Sequence, residues 1–266
     1  MHDTSGAKIA INIRFSSESI LKNPKERTFA VMNGPDFKFK QFSIRQDMCP
    51  MKVGTDGVLL GAWAGVGGCR RILDIGTGTG LIALMAAQRN ADAEVYAIDI
   101  DPGCAVQAAR NADASPWARR IHVMEADVRH FMPEFRFDAI LCNPPYFTNS
   151  LRCPQEGRSL ARHDCSLNFD QLSEAAARLL EPDGELSLVL PYEASAQFIG
   201  SAAIHGLQLH SHTRVITKSD KAPKRSLMSF GTGFQEATPN DLIIAEKDGS
   251  ESAEYINLVK DFYLKY

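Results

Sequence analysis

Residues 70–89 read RRILDIGTGTGLIALMAAQR. The first seven form an apolar run ending in glycine, the pattern of a buried strand. LIALMAAQR (81–89) is a mostly apolar helix of the kind that packs on a sheet. Between them Asp74, Gly76, Gly78 and Gly80 give D-x-G-x-G-x-G, a turn whose backbone a ligand can approach closely. Outward from this unit the alternation continues. EVYAIDI (94–100) is a second strand, after which Asp101 caps a helix with Pro102 at its first position. IHVMEAD (121–127) and FDAILCN (137–143) are further strands. Asn168 caps a helix whose apolar positions, from Phe169 to Leu180, keep helical spacing. GELSLVLP (184–191) is another buried strand, followed by a helix through about His205, and strands near 207–217 and 226–235 flank TKSDKAPKR. Strands alternating with helices predict a parallel α/β sheet.

The chain of 266 residues, 44% hydrophobic and 23% charged, has ordinary globular composition, enough for one sizeable core and a small appendage. A net charge of −3 gives no global basic field, so any nucleic-acid contact must come from local patches. The six cysteines contain no C-x-x-C pair and no zinc-finger spacing, the pattern of reduced thiols in a cytoplasmic protein, and no metal site is expected. No apolar run reaches transmembrane length and MHDTSGAK is no signal peptide. Residues 1–31 read as a disordered leader, with Met32 as the natural start.

Which ligand the glycine turn takes follows from what it lacks. The dinucleotide fingerprint G-x-G-x-x-G fails because the glycines fall at 76, 78 and 80, and without G-K-[ST] there is no P-loop. Asp74 beside the turn suits a cationic amino group better than a pyrophosphate, which favours S-adenosylmethionine over NAD. Asp99, ending the second strand, is placed to accept both ribose hydroxyls, with Asp101 as the competing choice for that role. Asp127, ending the third strand, is placed to accept the adenine amino group. Gly76, Thr77, Gly78 and Gly80 complete the expected cofactor contacts.

CNPPYF (142–147) leaves the fourth strand at the same edge. Proline restricts the residue before it, so Asn143 is held extended and cannot begin a helix. An amino group on an sp2 carbon is a poor nucleophile because its lone pair is delocalised. Two acceptors bonding its hydrogens, the Asn143 side-chain carbonyl and the Pro144 main-chain carbonyl, draw charge toward nitrogen, and the double proline keeps them preorganised. Tyr146 offers a flat face for a planar substrate. The chemistry needs neither a metal nor a strong base.

At these residues the chain resembles the class I S-adenosylmethionine-dependent methyltransferases. The resemblance implies a Rossmann-like α/β fold: a seven-stranded, mainly parallel sheet with an antiparallel last strand, helices on both faces, and the cofactor across the strand ends. NPPY resembles the [DNS]-P-P-[YFW] motif of enzymes that methylate planar amino groups. Three further stretches are similar to the bacterial valine tRNA adenine-37 N6-methyltransferases: FKFKQFSIRQDMCPMKVGTDGVLLGAWA (37–64), RSLARH (158–163) and YINLVKDFYLKY (255–266). The resemblance implies that an N-terminal extension, 32–69, closes over the cofactor, with Thr55 and Asp56 as secondary contacts. It implies a methyltransferase core over 70–266, ending in a helix docked through Leu258, Val259 and Phe262.

The expectation is therefore a cytoplasmic tRNA methyltransferase acting on adenine N6, at position 37 of a valine tRNA, reaching into an anticodon stem-loop and needing no obligate protein partner. Candidate phosphate contacts are Arg152, Arg158 and Arg162 after the motif, and Arg214, Lys218, Lys221, Lys224 and Arg225 around the late loop. Alternatives sharing the motif are glutamine N5-methylation of release factors, against which the short-strand character before the glycine turn argues, and guanine N2-methylation of ribosomal RNA. A non-catalytic RNA- or cofactor-binding module would not need the intact acceptors and acids.

Overall fold

The structure, a computed structural model, describes residues 36–145, 167–237 and 239–266. The expected leader, Tyr146, Arg152, Arg158 and Arg162 lie outside the described residues.

Two short antiparallel strands, β1 (Phe37–Lys38) and β2 (Ser43–Ile44), precede helix α1 (Thr55–Trp63). Then come β3 (Arg71–Ile75), α2 (Leu81–Arg89), β4 (Glu94–Asp99), α3 (Pro102–Asp113), β5 (Ile121–Glu125) and β6 (Phe137–Cys142). After the undescribed segment follow α4 (Phe169–Leu179), β7 (Leu180–Pro191), α5 (Ser195–Ile204), β8 (Gln208–Ile216), β9 (Arg225–Gly231), β10 (Pro239–Ile243) and α6 (Ala253–Val259).

The main sheet has the order β10-β8-β9-β7-β6-β3-β4-β5. β3 pairs parallel with both β4 and β6, so Ile75 stands level with Ile98 and Cys142, and the chain leaves all three strands at one edge. β9 runs antiparallel between β7 and β8. The expected seven strands are present, and an eighth, β10, extends the sheet parallel to β8. Its sequence, PNDLI, has two exposed residues and no apolar alternation, so periodicity gave it no signal.

Each face of the sheet carries a core. On one, α1, α2 and α6 cover Ile72, Val95, Leu141, Val189 and Leu227; on the other, α4 and α5 cover Leu73, Ile140, Leu188 and Phe230. The segment before α1 shares the first core through Phe39, Phe42 and Ile44. Phe39 stacks on Phe42 and on Tyr263, and Lys40 N donates to Phe262 O at 2.8 Å, so the N-terminal segment and the C-terminus close over α2 together. Val259 and Phe262 are buried there and Leu258 packs beside them. α1 was not expected. Gly57 through Ala62 are all buried, so the helix has no polar face to reveal it, and two glycines lower its propensity.

The candidate caps behave as their chemistry dictates. Asp101 accepts from Gly103 N at 2.7 Å and Cys104 N at 3.1 Å, while Asn168 forms a reciprocal capping box with Gln171. Among the described residues, no helix is long and apolar enough to cross a membrane.

Candidate active site

Gly76, Gly78 and Gly80 adopt φ of 68°, 56° and 82°, the left-handed region that side chains resist. Gly76 is exposed, and nothing lies within 4 Å of where its Cβ would be, so the turn leaves an open approach to backbone. At Gly80 a Cβ would meet Ala108 of α3 at 3.3 Å, which makes that glycine a packing requirement.

The turn is not built for an anion. Gly76 N and Thr77 N both donate to Ile98 O, Gly80 N donates to Thr77 O, and Gly78 N donates to Asp99 Oδ2 at 2.8 Å. Asp74 occupies the start of α2: its Oδ2 accepts from Thr77 Oγ1 at 2.6 Å and from Ala83 N at 3.1 Å. A phosphate site uses free loop amides and the positive end of the helix. Here those amides are spent internally and a carboxylate already answers the helix. The charge presented by the neighbourhood is negative.

Asp74 is fully buried, and its Oδ1 has no hydrogen-bond partner among the described residues. Burial pushes the carboxyl up to about 7, against the pull of the Thr77 and Ala83 hydrogen bonds, and the charge of Asp99 adds to the rise. Burial also raises Asp99, which its backbone donors oppose. Asp99 accepts one bond on each oxygen, from Gly78 N and from Asp101 N, and a carboxylate oxygen has a second lone pair for a ligand hydroxyl. The capping role belongs to Asp101, which leaves Asp99 as the strand-end acid facing the glycine turn.

Asp127 stands differently from the expectation. β5 stops at Glu125, because Asp127 turns the chain by accepting from Arg129 N at 3.0 Å and from the Arg129 guanidinium. Asp127 is therefore a turn residue two beyond the strand. The Arg129 hydrogen bond holds its carboxyl below the usual range, so it remains an acceptor.

Asn143 follows β6 directly, half-buried, with Pro144 buried behind it. A Cβ on Gly57 would lie 3.9 Å from Asn143 Nδ2, an ordinary contact distance, so α1 packs beside the amide. Burial, with the charges of Asp74 and Asp99 adding to it, drives the Cys142 thiol far above its ordinary value. The glycine turn, both acids and Asn143 thus share one edge of three adjacent strands. Tyr146 lies beyond the described residues.

Thr55 is exposed at the start of α1, and Asp56 is paired with Arg225, the Nε–Oδ2 distance being 2.8 Å. Three of the five cations expected around the late loop have carboxylate partners, since Arg214 makes a bidentate pair with Asp241 at 2.6 and 2.9 Å and Lys221 Nζ lies 4.0 Å from the exposed Asp220. Lys221 and Lys224 are exposed and Lys218 is half-exposed, at the edge where β7 ends and β9 begins. The pairing of Asp56 and Arg225 was invisible in the sequence because 169 residues separate the partners.

A sheet ordered β5-β4-β3-β6-β7-β9-β8, with one reversed strand and a glycine turn between flanking acids, defines a class I methyltransferase. A crystal structure of a predicted O-methyltransferase, protein Atu636 from Agrobacterium tumefaciens, shares this fold with a TM-score of 0.62 at 23% identity, over 78% of this chain and 96% of that one. The glycopeptide N-methyltransferase MtfA, solved in complex with S-adenosylmethionine, superposes with a TM-score of 0.51 at 12% identity, over 69% of this chain and all of the other. The family model for the methyltransferase small domain matches residues 63–214. Proteins named tRNA1(Val) (adenine(37)-N6)-methyltransferase are 49% identical in Phocaeicola vulgatus, over 88% of this chain and 99% of that protein, and 45% identical in Tolumonas auensis over the same shares. The chain belongs to the methyltransferase small domain family, and within it to the family of these transfer-RNA enzymes.

Proposed function

We propose that this protein transfers a methyl group from S-adenosylmethionine to N6 of adenine-37 in a valine tRNA. The observation that carries the reading is near-full-length identity of 49% to a protein of that name, in a chain with Asn-Pro-Pro at the expected strand end.

The residues present fit the cofactor. The exposed, left-handed Gly76 gives it backbone to lie against, Asp99 has spare acceptor capacity for ribose hydroxyls, and Asp74, buried beneath the turn, contributes negative charge toward a cationic amino group without touching it. Asp127, kept ionised by Arg129, suits an exocyclic adenine amine, and Thr77 holds Asp74 in position. The bound cofactor brings a methyl group already activated as a sulfonium. Asn143 Oδ1 and Pro144 O accept the two N6 hydrogens, localise the lone pair on nitrogen and orient it at the methyl. Neither acceptor is basic enough to keep a proton, so the one released from the methylated nitrogen passes to water. Tyr146 stacks on the adenine, which must be turned out of the anticodon loop to reach this edge. Lys218, Lys221 and Lys224 meet phosphates of the stem-loop, and Arg152, Arg158 and Arg162 extend that contact. The reaction takes place in the cytoplasm and needs no obligate protein partner.

Mass spectrometry of tRNA nucleosides from cells lacking the gene tests the reading. Loss of N6-methyladenosine from the valine tRNA, restored by the wild-type gene, is expected. Unchanged N6-methyladenosine would overturn it.

A further inference from the structure

Behind the glycine turn, two thiols meet. Cys49 lies in the segment before α1 and Cys104 in the first turn of α3, and their Sγ atoms are 2.8 Å apart. Both are buried, 3% and 5% exposed, and Cys49 is followed by the exposed Pro50 and Met51. The approach is held by a frame of hydrogen bonds. Met48 N donates to Gln107 Oε1 at 2.9 Å, and Arg45 exchanges two bonds with the Asn111 amide, its N donating at 3.0 Å and its O accepting at 2.8 Å. The same Cys49 sulfur stands 3.5 Å from where a Cβ on Gly78 would be, so this segment also backs the glycine turn.

We propose that Cys49 and Cys104 form a reversible thiol–disulfide site, oxidised by a hydroperoxide, whose closure fixes segment 45–49 against α3 and the glycine turn and slows cofactor exchange. The hydrogen bond with Cys104 draws the Cys49 thiol below its ordinary pKa and drives that of Cys104 upward, which makes Cys49 the attacking sulfur. By contrast, burial raises Cys69 and Cys142. The Cys49 thiolate attacks the peroxide oxygen, giving a sulfenic acid and hydroxide. The Cys104 sulfur then displaces the sulfenic oxygen, and its thiol proton leaves with that oxygen as water. Overall, two thiols and one hydrogen peroxide give one disulfide and two waters, the sulfurs being oxidised and the peroxide reduced. Because the bridge joins positions 55 apart, it also restrains a long stretch of the unfolded chain.

The cross-link does not depend on the cofactor; the exchange effect rests on the cofactor reading above. The test treats the whole protein with hydrogen peroxide, blocks remaining thiols, and maps peptides by mass spectrometry without reductant. A Cys49–Cys104 peptide lighter by two hydrogens, removed by dithiothreitol, is expected. A midpoint of thermal unfolding several degrees higher is expected with it. Both thiols recovered alkylated, or bridges found only to other cysteines, would overturn the site. Stopped-flow release of S-adenosylmethionine should be severalfold slower from the oxidised protein and return on reduction; equal release rates would overturn the exchange claim. The Cys104→Ala variant should match the reduced wild type in methyl transfer and show no response to peroxide. A peroxide response in that variant would assign the effect elsewhere and overturn the proposal. Failure of the reduced protein to bind S-adenosylmethionine would instead sink the cofactor reading, leaving the peptide map to decide the thiols.

Discussion

Arg225 Nε donates a 2.8 Å hydrogen bond to Asp56 Oδ2, joining the first residue of β9 to the first turn of α1. The helix so fastened is the one whose Gly57 packs beside the Asn143 amide. An ion pair that anchors such a helix acts on the site without touching the reacting atoms. Both side chains keep partial exposure, 35% and 26%, so solvent screens the pair and its loss costs about 1 kcal/mol of stability. Arg225→Met should lower the unfolding free energy by that amount and reduce kcat more than it weakens RNA binding. Urea unfolding and steady-state kinetics check this; a variant that lost RNA affinity at unchanged kcat would return Arg225 to the phosphate contacts.

The lysines are the other half of that distinction. Lys221 and Lys224 are exposed, and two backbone bonds hold Lys224 at the sheet edge, its N to Val215 O and its O from Tyr192 N. Replacing Lys218, Lys221 and Lys224 by Gln should weaken tRNA binding and flatten the plot of log affinity against log salt by roughly 0.7–0.9 for each phosphate no longer neutralised. Binding titrations at several salt concentrations read the slope. An unchanged slope removes the loop from the interface.

Asn143→Ala takes away one of the two acceptors proposed for the target amine. Removing one preorganised partner of a developing charge typically costs about 10²–10³-fold in kcat. Cofactor affinity should stay within severalfold, since Asp74, Asp99 and the glycine turn remain. Asp99→Ala should do the reverse, weakening the cofactor first. Single-turnover methylation and calorimetry separate the two; full turnover in Asn143→Ala would refute the role of the amide.

How much of this was legible in the sequence follows from what local pattern can carry. The D-x-G-x-G-x-G turn, the strand-end acid Asp99, the Asp101 and Asn168 caps and the paired prolines are all local chemistry, and each stands where spacing put it. α1 escaped because a helix buried on every side has no amphipathic period, and β10 because an edge strand with exposed residues has no alternation. Periodicity places Asp127 at the strand end because it cannot see that a residue two positions on, Arg129, will bend the chain. The Asp56–Arg225 and Cys49–Cys104 pairs join residues far apart in sequence, and only the fold brings them together.

Gly61 lies in the last turn of α1, and within a helix alanine would ordinarily be more stable than glycine by about 1 kcal/mol. Here a Cβ would sit 2.7 Å from Met85 Sδ and 3.0 Å from Met85 Cβ of α2, and Met85 is fully buried. The far end of Met85 can swing, but its Cβ cannot without moving α2. Overpacking of this kind costs about 1–3 kcal/mol, so the clash outweighs the propensity. Gly61→Ala should lower the midpoint of thermal unfolding, and pairing it with Met85→Ala should recover part of the loss. A more stable single variant would show that the two helices separate freely.

Asp74 links cofactor binding to pH. Its folded carboxyl, pushed up to about 7 from 3.8, holds a proton that the unfolded chain has released, so between those values its contribution to stability falls as pH rises. A cationic amino group bound at the open glycine turn favours the ionised form of the buried carboxyl through its charge and expels that proton. Below pH 7, binding of S-adenosylmethionine should therefore release a proton, and affinity should climb as pH rises from about 5.5 toward 7. Calorimetry in two buffers of different ionisation enthalpy measures the release directly. Asp74→Asn, which keeps the shape and has no carboxyl to titrate, should bind more weakly and release no proton. Identical heats for the wild type in both buffers at pH 6 would show that Asp74 does not answer the cofactor's charge.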